Sequence, residues 1–160
     1  MAAMKEKNLI TVGKNIRDFS LQDQNGKDFR PSDYRGKKVI LSFHPLAWTP
    51  VCAAQMQALE RNVKLFEKYT AIAVGLSVDS VPCKAAWAKS LKIKHTRMLS
   101  DFWPHGQVAK SLGLFREKNG FSERANVVLD EKGRVLFVKV YPIRELPVLD
   151  EIYEVLKEEK

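Results

Sequence analysis

Two short runs that are apolar almost without interruption constrain this chain more than any other feature: Val39-Ile40-Leu41-Ser42-Phe43 and residues 71–78. Neither alternates between polar and apolar residues as a strand with one wet face does, so each reads as a strand covered on both sides. Between them Thr49-Pro50 opens a segment with Met56, Leu59, Val63 and Phe66 at three- and four-residue spacing, the pattern of an amphipathic helix. Strand, helix and strand in that order predict two parallel neighbours joined by a right-handed crossover. Both strands then end at one edge of the sheet.

The remaining signals extend this unit. Residues 16–30 read as a hairpin, with Phe19 and Leu21 alternating with polar residues before Asn25-Gly26 turns the chain. Pro31-Ser32-Asp33-Tyr34 reads as a turn or one helical turn. After the second strand come a helix over 82–92, a short strand at Met98-Leu99 and a short helix over 107–112. Residues 125–129 and 134–140 form a hairpin around Asp130-Glu131-Lys132-Gly133, and an amphipathic helix over 146–156 follows. This order predicts an α/β fold: a central mixed sheet flanked by helices, with an N-terminal β-hairpin, the thioredoxin-like arrangement. No linker or internal repeat appears, so residues 1–160 are expected to form one domain.

Several function classes are excluded by bulk properties. No apolar run approaches the ~20 residues of a membrane helix, and residues 1–10 are polar and basic, unlike a secretory signal. Two cysteines are too few for a disulfide scaffold, so a reducing, cytoplasmic location is expected. The net charge of +8 is spread along the chain, with one cluster at Lys89, Lys92, Lys94, His95 and Arg97. A nucleic-acid module would concentrate such charge and interleave aromatics with it, so a solvated surface is the better reading. His95 and His105 lack ligand-like spacing to the cysteines, and neither a metal nor any other cofactor is expected.

The chemistry lies in Phe43-His44-Pro45-Leu46-Ala47-Trp48-Thr49-Pro50-Val51-Cys52. Pro45 breaks the strand, Thr49 suits an N-cap, and Pro50 suits the first helical position, where its missing N–H has no partner to lose. Cys52 falls at the third helical position, beside the unsatisfied amides of the first turn. Those amides and the helix dipole favour a thiolate over a thiol. A cysteine at the carboxyl end of a parallel strand also lies where open α/β sheets build their sites.

With these residues in view, the chain resembles the peroxiredoxins, the alkyl hydroperoxide reductase and thiol-specific antioxidant family, whose signature Pro-x-x-x-Thr-x-x-Cys reads Pro45, Thr49 and Cys52 here. Gly36-Lys37-Lys38-Val39, the stretch from Gly75 to Ser80, Leu99-Ser100-Asp101 and the stretch from Arg124 to Asp130 accompany it in register. The resemblance covers residues 11–158. It implies that Cys52 is the peroxidatic nucleophile, attacking the terminal oxygen of hydrogen peroxide or an organic hydroperoxide to give a sulfenic acid. It further implies that Thr49 hydrogen-bonds the substrate oxygens, that Pro45 shields the sulfenate, and that Arg124 stabilises thiolate and developing charge. A thiol reductant such as thioredoxin, glutaredoxin or a low-molecular-weight thiol, and a homodimer, are implied as partners.

Two departures stand out. Gln55 occupies a position where many relatives carry Glu, and is left outside the catalytic set. No cysteine follows Tyr141, so the chain looks more like the one-Cys-type, alkyl-hydroperoxide-reductase-E-like subgroup. Cys83, just past Asp79-Ser80, either resolves the sulfenate as a disulfide or is an incidental thiol. If Ser80 caps its helix, Cys83 shares the offset that Thr49 gives Cys52 and its thiol is expected to be partly activated. His44 is expected to pack. The rivals are a thioredoxin-like disulfide oxidoreductase, which lacks its second cysteine in Cys52-Ala53-Ala54-Gln55, and a non-enzymatic thiol redox sensor.

Overall fold

The structure, a computed structural model, describes residues 8–158; the greater part of the basic 1–10 stretch lies outside them. The N-terminal hairpin pairs β1 (Leu21–Gln22) with β2 (Asp28–Phe29), Leu21 opposite Phe29. Its strands are shorter than the 16–30 pattern implies. The turn is fixed by Asp23, whose Oδ1 accepts from the amides of Asn25 (2.8 Å) and Lys27 (3.0 Å), and by Gly26 at φ 76°. Phe19 lies outside the ladder and tilts against Phe29 instead. Pro31–Tyr34 is a single 3-10 turn.

β3 (Lys38–Phe43) is buried at every residue. It is followed by α1 (Pro50–Arg61), α2 (Val63–Lys68) and β4 (Ala71–Ser77). β3 and β4 are parallel neighbours with Phe43 opposite Leu76, as the two apolar runs require. The expected single helix between them is two, because the Asn62 side chain donates to the Ala58 carbonyl at 2.7 Å and accepts from the Tyr153 hydroxyl. An asparagine that bonds its own backbone interrupts helical propagation there.

α3 (Val81–Ser90), β5 (Arg97–Ser100) and α4 (Gln107–Ser111) come next. A separate ribbon of β6 (Phe115–Arg116) and β7 (Phe121–Ser122), which the sequence does not announce, precedes β8 (Arg124–Leu129), β9 (Val135–Tyr141) and α5 (Leu149–Glu158). The seven-stranded sheet has the order β2-β1-β5-β4-β3-β8-β9. β4 and β5 are parallel, whereas β8 runs antiparallel to both β3 and β9, so the sheet is mixed.

Alternation along the central strands divides the interior into two cores. Val39, Leu41 and Phe43 of β3 join Val74, Leu76, Val127 and Leu129 beneath α4. Ile40 and Val128 face the other way, onto Cys52, Met56 and Leu59 of α1, Phe66 of α2, Trp87 of α3 and Ile152 and Leu156 of α5. The cysteine helix therefore shares one core with the sheet and three further helices. Gly75 marks the closest approach: a Cβ there would run into the sulfur of Met56.

Candidate active site

The parallel pairing of β3 with β4 brings both strands out at one sheet edge, where α1 and α3 begin. Because β8 runs antiparallel to β3, with Ala125 opposite Phe43, its first residue Arg124 arrives at that same edge. Cys52 is 1% exposed and Arg124 3%, and the Arg124 Nη1 donates to Cys52 Sγ at 3.3 Å. The same nitrogen donates to Gln55 Oε1 at 2.8 Å, and Nε donates to the Ile143 carbonyl at 2.8 Å. No carboxylate pairs with Arg124 among the described residues. A buried, permanently charged guanidinium without an acidic partner favours an anion on the atom it faces, here the Cys52 sulfur.

Gln55 has a larger part than the sequence assigns it. Its Nε2 donates to Ser42 Oγ (2.7 Å) and to the Phe43 carbonyl (3.1 Å), while Ser42 Oγ donates to Asn126 Oδ1 (2.8 Å). This buried chain fixes the amide so that its oxygen points at the guanidinium. A neutral amide orients Arg124 without cancelling its charge, which a glutamate would do. The available signal was its spacing, three residues past Cys52 on one helix face.

Thr49 occupies the N-cap position, with φ −118° and ψ 149°, but its hydroxyl does not cap the helix. It donates instead to the Leu46 carbonyl at 2.8 Å. Among the described residues the amides of Val51 and Cys52 consequently have no protein acceptor. Pro45 is buried, and the loop after it is tied down by Asp79, whose Oδ2 accepts from the Ala47 amide (2.8 Å) and Ser77 Oγ (2.6 Å). Trp48 adopts φ 67°, a strained value for a residue with a side chain, and is 56% exposed.

Cys83 sits three residues into α3, and Ser80 Oγ accepts from its amide at 3.4 Å, the expected cap. The expected activation does not follow. Burial and the Asp79 carboxylate, whose Oδ1 lies 3.8 Å from Cys83 Sγ, push this thiol up from its ordinary value. Both cysteines are free.

Within the basic cluster, Lys89, Lys92 and Lys94 line one surface pocket with Gln24 and Asn25, whereas Arg97 and the backbone of 94–96 are held by carboxylates. Arg97 is engaged by Asp23 and by the Tyr34 hydroxyl, and Glu60 accepts from the amides of Lys94, His95 and Thr96. Burial opposes ionisation of Glu60, but those amides outweigh it and bring the carboxyl down to about 2. No group of three or more His, Cys, Asp or Glu that could hold a metal ion occurs among the described residues. Nor is any helix there long and apolar enough to cross a membrane.

Comparison with known proteins places this geometry in context. Residues 12–138 match the model of the AhpC/TSA family. The chain is 35% identical over 133 residues to alkyl hydroperoxide reductase E of Mycobacterium tuberculosis, covering 82% of this chain and 86% of that one. It is 32% identical over 156 residues to peroxiredoxin-1 of Gallus gallus, covering 91% and 76%. Among solved structures it is similar to the reduced 2-Cys peroxiredoxin of Plasmodium vivax (TM-score 0.83, 26% identity, 92% of this chain and 81% of that one). It is equally similar to the peroxidoxin BcpB of Mycobacterium tuberculosis (TM-score 0.83, 27% identity, 94% and 99%).

Proposed function

The chain belongs to the AhpC/TSA family, which makes it a peroxiredoxin and a thiol-dependent peroxidase; on that premise we propose that Cys52 is its peroxidatic thiolate. The observation that carries this reading is the 3.3 Å contact between Cys52 and a buried arginine that has no acidic partner among the described residues. The thiolate attacks the terminal oxygen of hydrogen peroxide or an organic hydroperoxide. The S–O bond forms as the O–O bond breaks, Cys52 becomes a sulfenic acid, and the departing alkoxide or hydroxide takes a proton.

Three groups are proposed to hold the peroxide. The Thr49 proton is committed to the Leu46 carbonyl, so its hydroxyl lone pairs accept from the peroxide O–H. The free amides of the first turn of α1 and the Arg124 guanidinium donate to the peroxide oxygens, where charge develops as the bond breaks. Pro45 closes the pocket against water and further oxidant.

A thiol then reduces the sulfenic acid, releasing water as the disulfide forms. Cys83 is the proposed resolving thiol, within one chain or between two; its raised pKa makes it a slow one that quickens as pH rises. Thioredoxin, glutaredoxin or a low-molecular-weight thiol is the proposed external donor. A homodimer is proposed because Trp48, Phe102 and Trp103 are 56%, 50% and 79% exposed on two loops, more apolar surface than a monomer needs. We place the whole chain, residues 1–160, as one domain in the cytoplasm, where reduced thiols are available.

Intact mass and peptide mapping after one equivalent of peroxide test the proposal. The expected product is a Cys52–Cys83 disulfide formed after a Cys52 sulfenic acid that a nucleophilic probe can trap. A free Cys83 beside oxidised Cys52 would leave reduction to the external thiol alone. Oxidation confined to Cys83 would overturn the assignment of Cys52.

A further inference from the structure

At the sheet edge where α1 and α3 begin lies a buried amine that the peroxide chemistry above does not employ. Lys84, on α3, is 0% exposed, as is His44, the residue that follows β3. Lys84 Nζ lies 3.1 Å from His44 Nε2. It forms no ion pair with a carboxylate among the described residues. The His44 ring lies tilted against Trp87, centroids 5.5 Å apart, and its Nδ1 is buried without a full hydrogen bond.

Burial first, and then the positive charges of Lys84 and Arg124, push His44 well below its ordinary value. The ring is therefore neutral, and its Nε2 lone pair accepts from Lys84. His44 thus stands between two cations, Arg124 from β8 and Lys84 from α3. The remaining charged or ionisable groups that act on Lys84 are Asp79 after β4, Cys52 on α1, Cys83 on its own helix and Asp101 after β5. Two of the anions are already engaged. Asp79 accepts from Ala47 and Ser77, and Asp101 accepts from the amides of Val108 (3.1 Å) and Ala109 (3.0 Å) at the start of α4. Cys52 is the neighbour in this set whose charge changes in the peroxide step as proposed; Cys83 enters only afterwards, when the sulfenic acid is resolved.

We propose that Lys84, seated on neutral His44, is a second positioning cation of the site: it holds a proton while Cys52 is a thiolate and releases it when Cys52 becomes a sulfenic acid. The step balances. Thiolate, ammonium and hydroperoxide (ROOH) become sulfenic acid, neutral amine and alcohol (ROH), so the proton Lys84 gives up offsets the one the leaving alkoxide takes. Burial brings Lys84 down to about 7 against the raising effect of Asp79 and Cys52, so a change of one charge nearby decides its protonation at neutral pH. The coupling is mutual, so removing either charge is felt at the other.

The inference rests on Cys52 as the nucleophile, but its test reads protonation rather than turnover. Lysine side-chain NMR titration of the reduced protein should show one lysine with a midpoint near neutrality, absent from Lys84→Arg. In Cys52→Ser, which cannot form the anion, that midpoint should fall. In stopped-flow oxidation the wild-type rate should decline on the alkaline side as Lys84 loses its proton. Lys84→Arg, permanently charged, should remove that decline, and Lys84→Met should lower the neutral-pH rate by about tenfold, the effect of one pKa unit. The proposal is overturned if no lysine titrates below about pH 9, where an ordinary lysine is still protonated, or if the Lys84 midpoint is the same with and without the Cys52 thiol. Because the titration compares wild type with Cys52→Ser and does not use the methionine variant, misfolding of that variant does not blunt the test. Turnover by Cys52→Ser would instead overturn the nucleophile assignment.

Discussion

Arg124→Ala removes the permanent cation from the site, and the size of the loss follows from the contact. At 3.3 Å and an effective dielectric of about 20, a unit charge pair is worth about 5 kcal/mol, which is a ceiling. A hydrogen bond to a charged group, about 1.5–3 kcal/mol, sets the floor. The thiolate keeps the first-turn amides of α1, so we expect a loss of about 3 kcal/mol, about two orders of magnitude in rate. The variant also leaves Gln55 Oε1 and the Ile143 carbonyl without their donor, a stability cost of about 1–3 kcal/mol per buried group. Thermal unfolding must therefore show that the variant is folded at the assay temperature. Stopped-flow oxidation then reads the rate of the peroxide step. Arg124→Lys restores charge but cannot reach sulfur, amide and carbonyl together, and should fall between the two. A folded alanine variant within about threefold of the wild-type rate would refute the electrostatic role.

Two further substitutions test the scaffold around the site. Gly75→Ala places a Cβ against Met56 between β4 and α1; it should cost about 1–3 kcal/mol in chemical denaturation, and a neutral result would mean the helix can shift freely. Glu60→Gln should cost about 1–2 kcal/mol near neutral pH, because a charged acceptor of three amides is replaced by a neutral one. The Glu60 carboxyl sits at about 2 in the fold against an ordinary 4.5, so its contribution is present above about 4.5 and fades as pH falls toward 2. The difference between wild type and variant should shrink over that interval; a constant difference would show that ionisation is not involved.

Much of this arrangement was legible in the sequence because it depends on local rules. Two nearly continuous apolar runs forced parallel central strands, and the proline-threonine-proline spacing put Cys52 in the first turn of a helix. What was not legible depends on side chains meeting across the sheet. Arg124 and Gln55 lie 69 positions apart and become partners only because β8 runs antiparallel to β3. Lys84 and Asp79 look like ordinary solvated charges, and nothing in their spacing indicates that one is wholly buried and the other anchors the Ala47 amide. The Thr49 hydroxyl was expected to cap α1 by accepting from a first-turn amide, but in the 46–49 loop it is turned toward the Leu46 carbonyl, to which it donates. Cys83 has the helical offset of Cys52 but a carboxylate where Cys52 has a guanidinium. Burial and that carboxylate raise the Cys83 thiol despite its place at the start of a helix.

The most direct test is peroxide consumption by Cys52→Ser beside Cys83→Ser, with a thiol reductant in excess. Serine nearly preserves the packing of Cys52 in its core, but its hydroxyl is far too weakly acidic to serve as this nucleophile. The account predicts a folded Cys52→Ser protein with no turnover, and a Cys83→Ser protein that is still oxidised by peroxide at the wild-type rate. A Cys52→Ser protein that keeps a substantial fraction of wild-type turnover would contradict it.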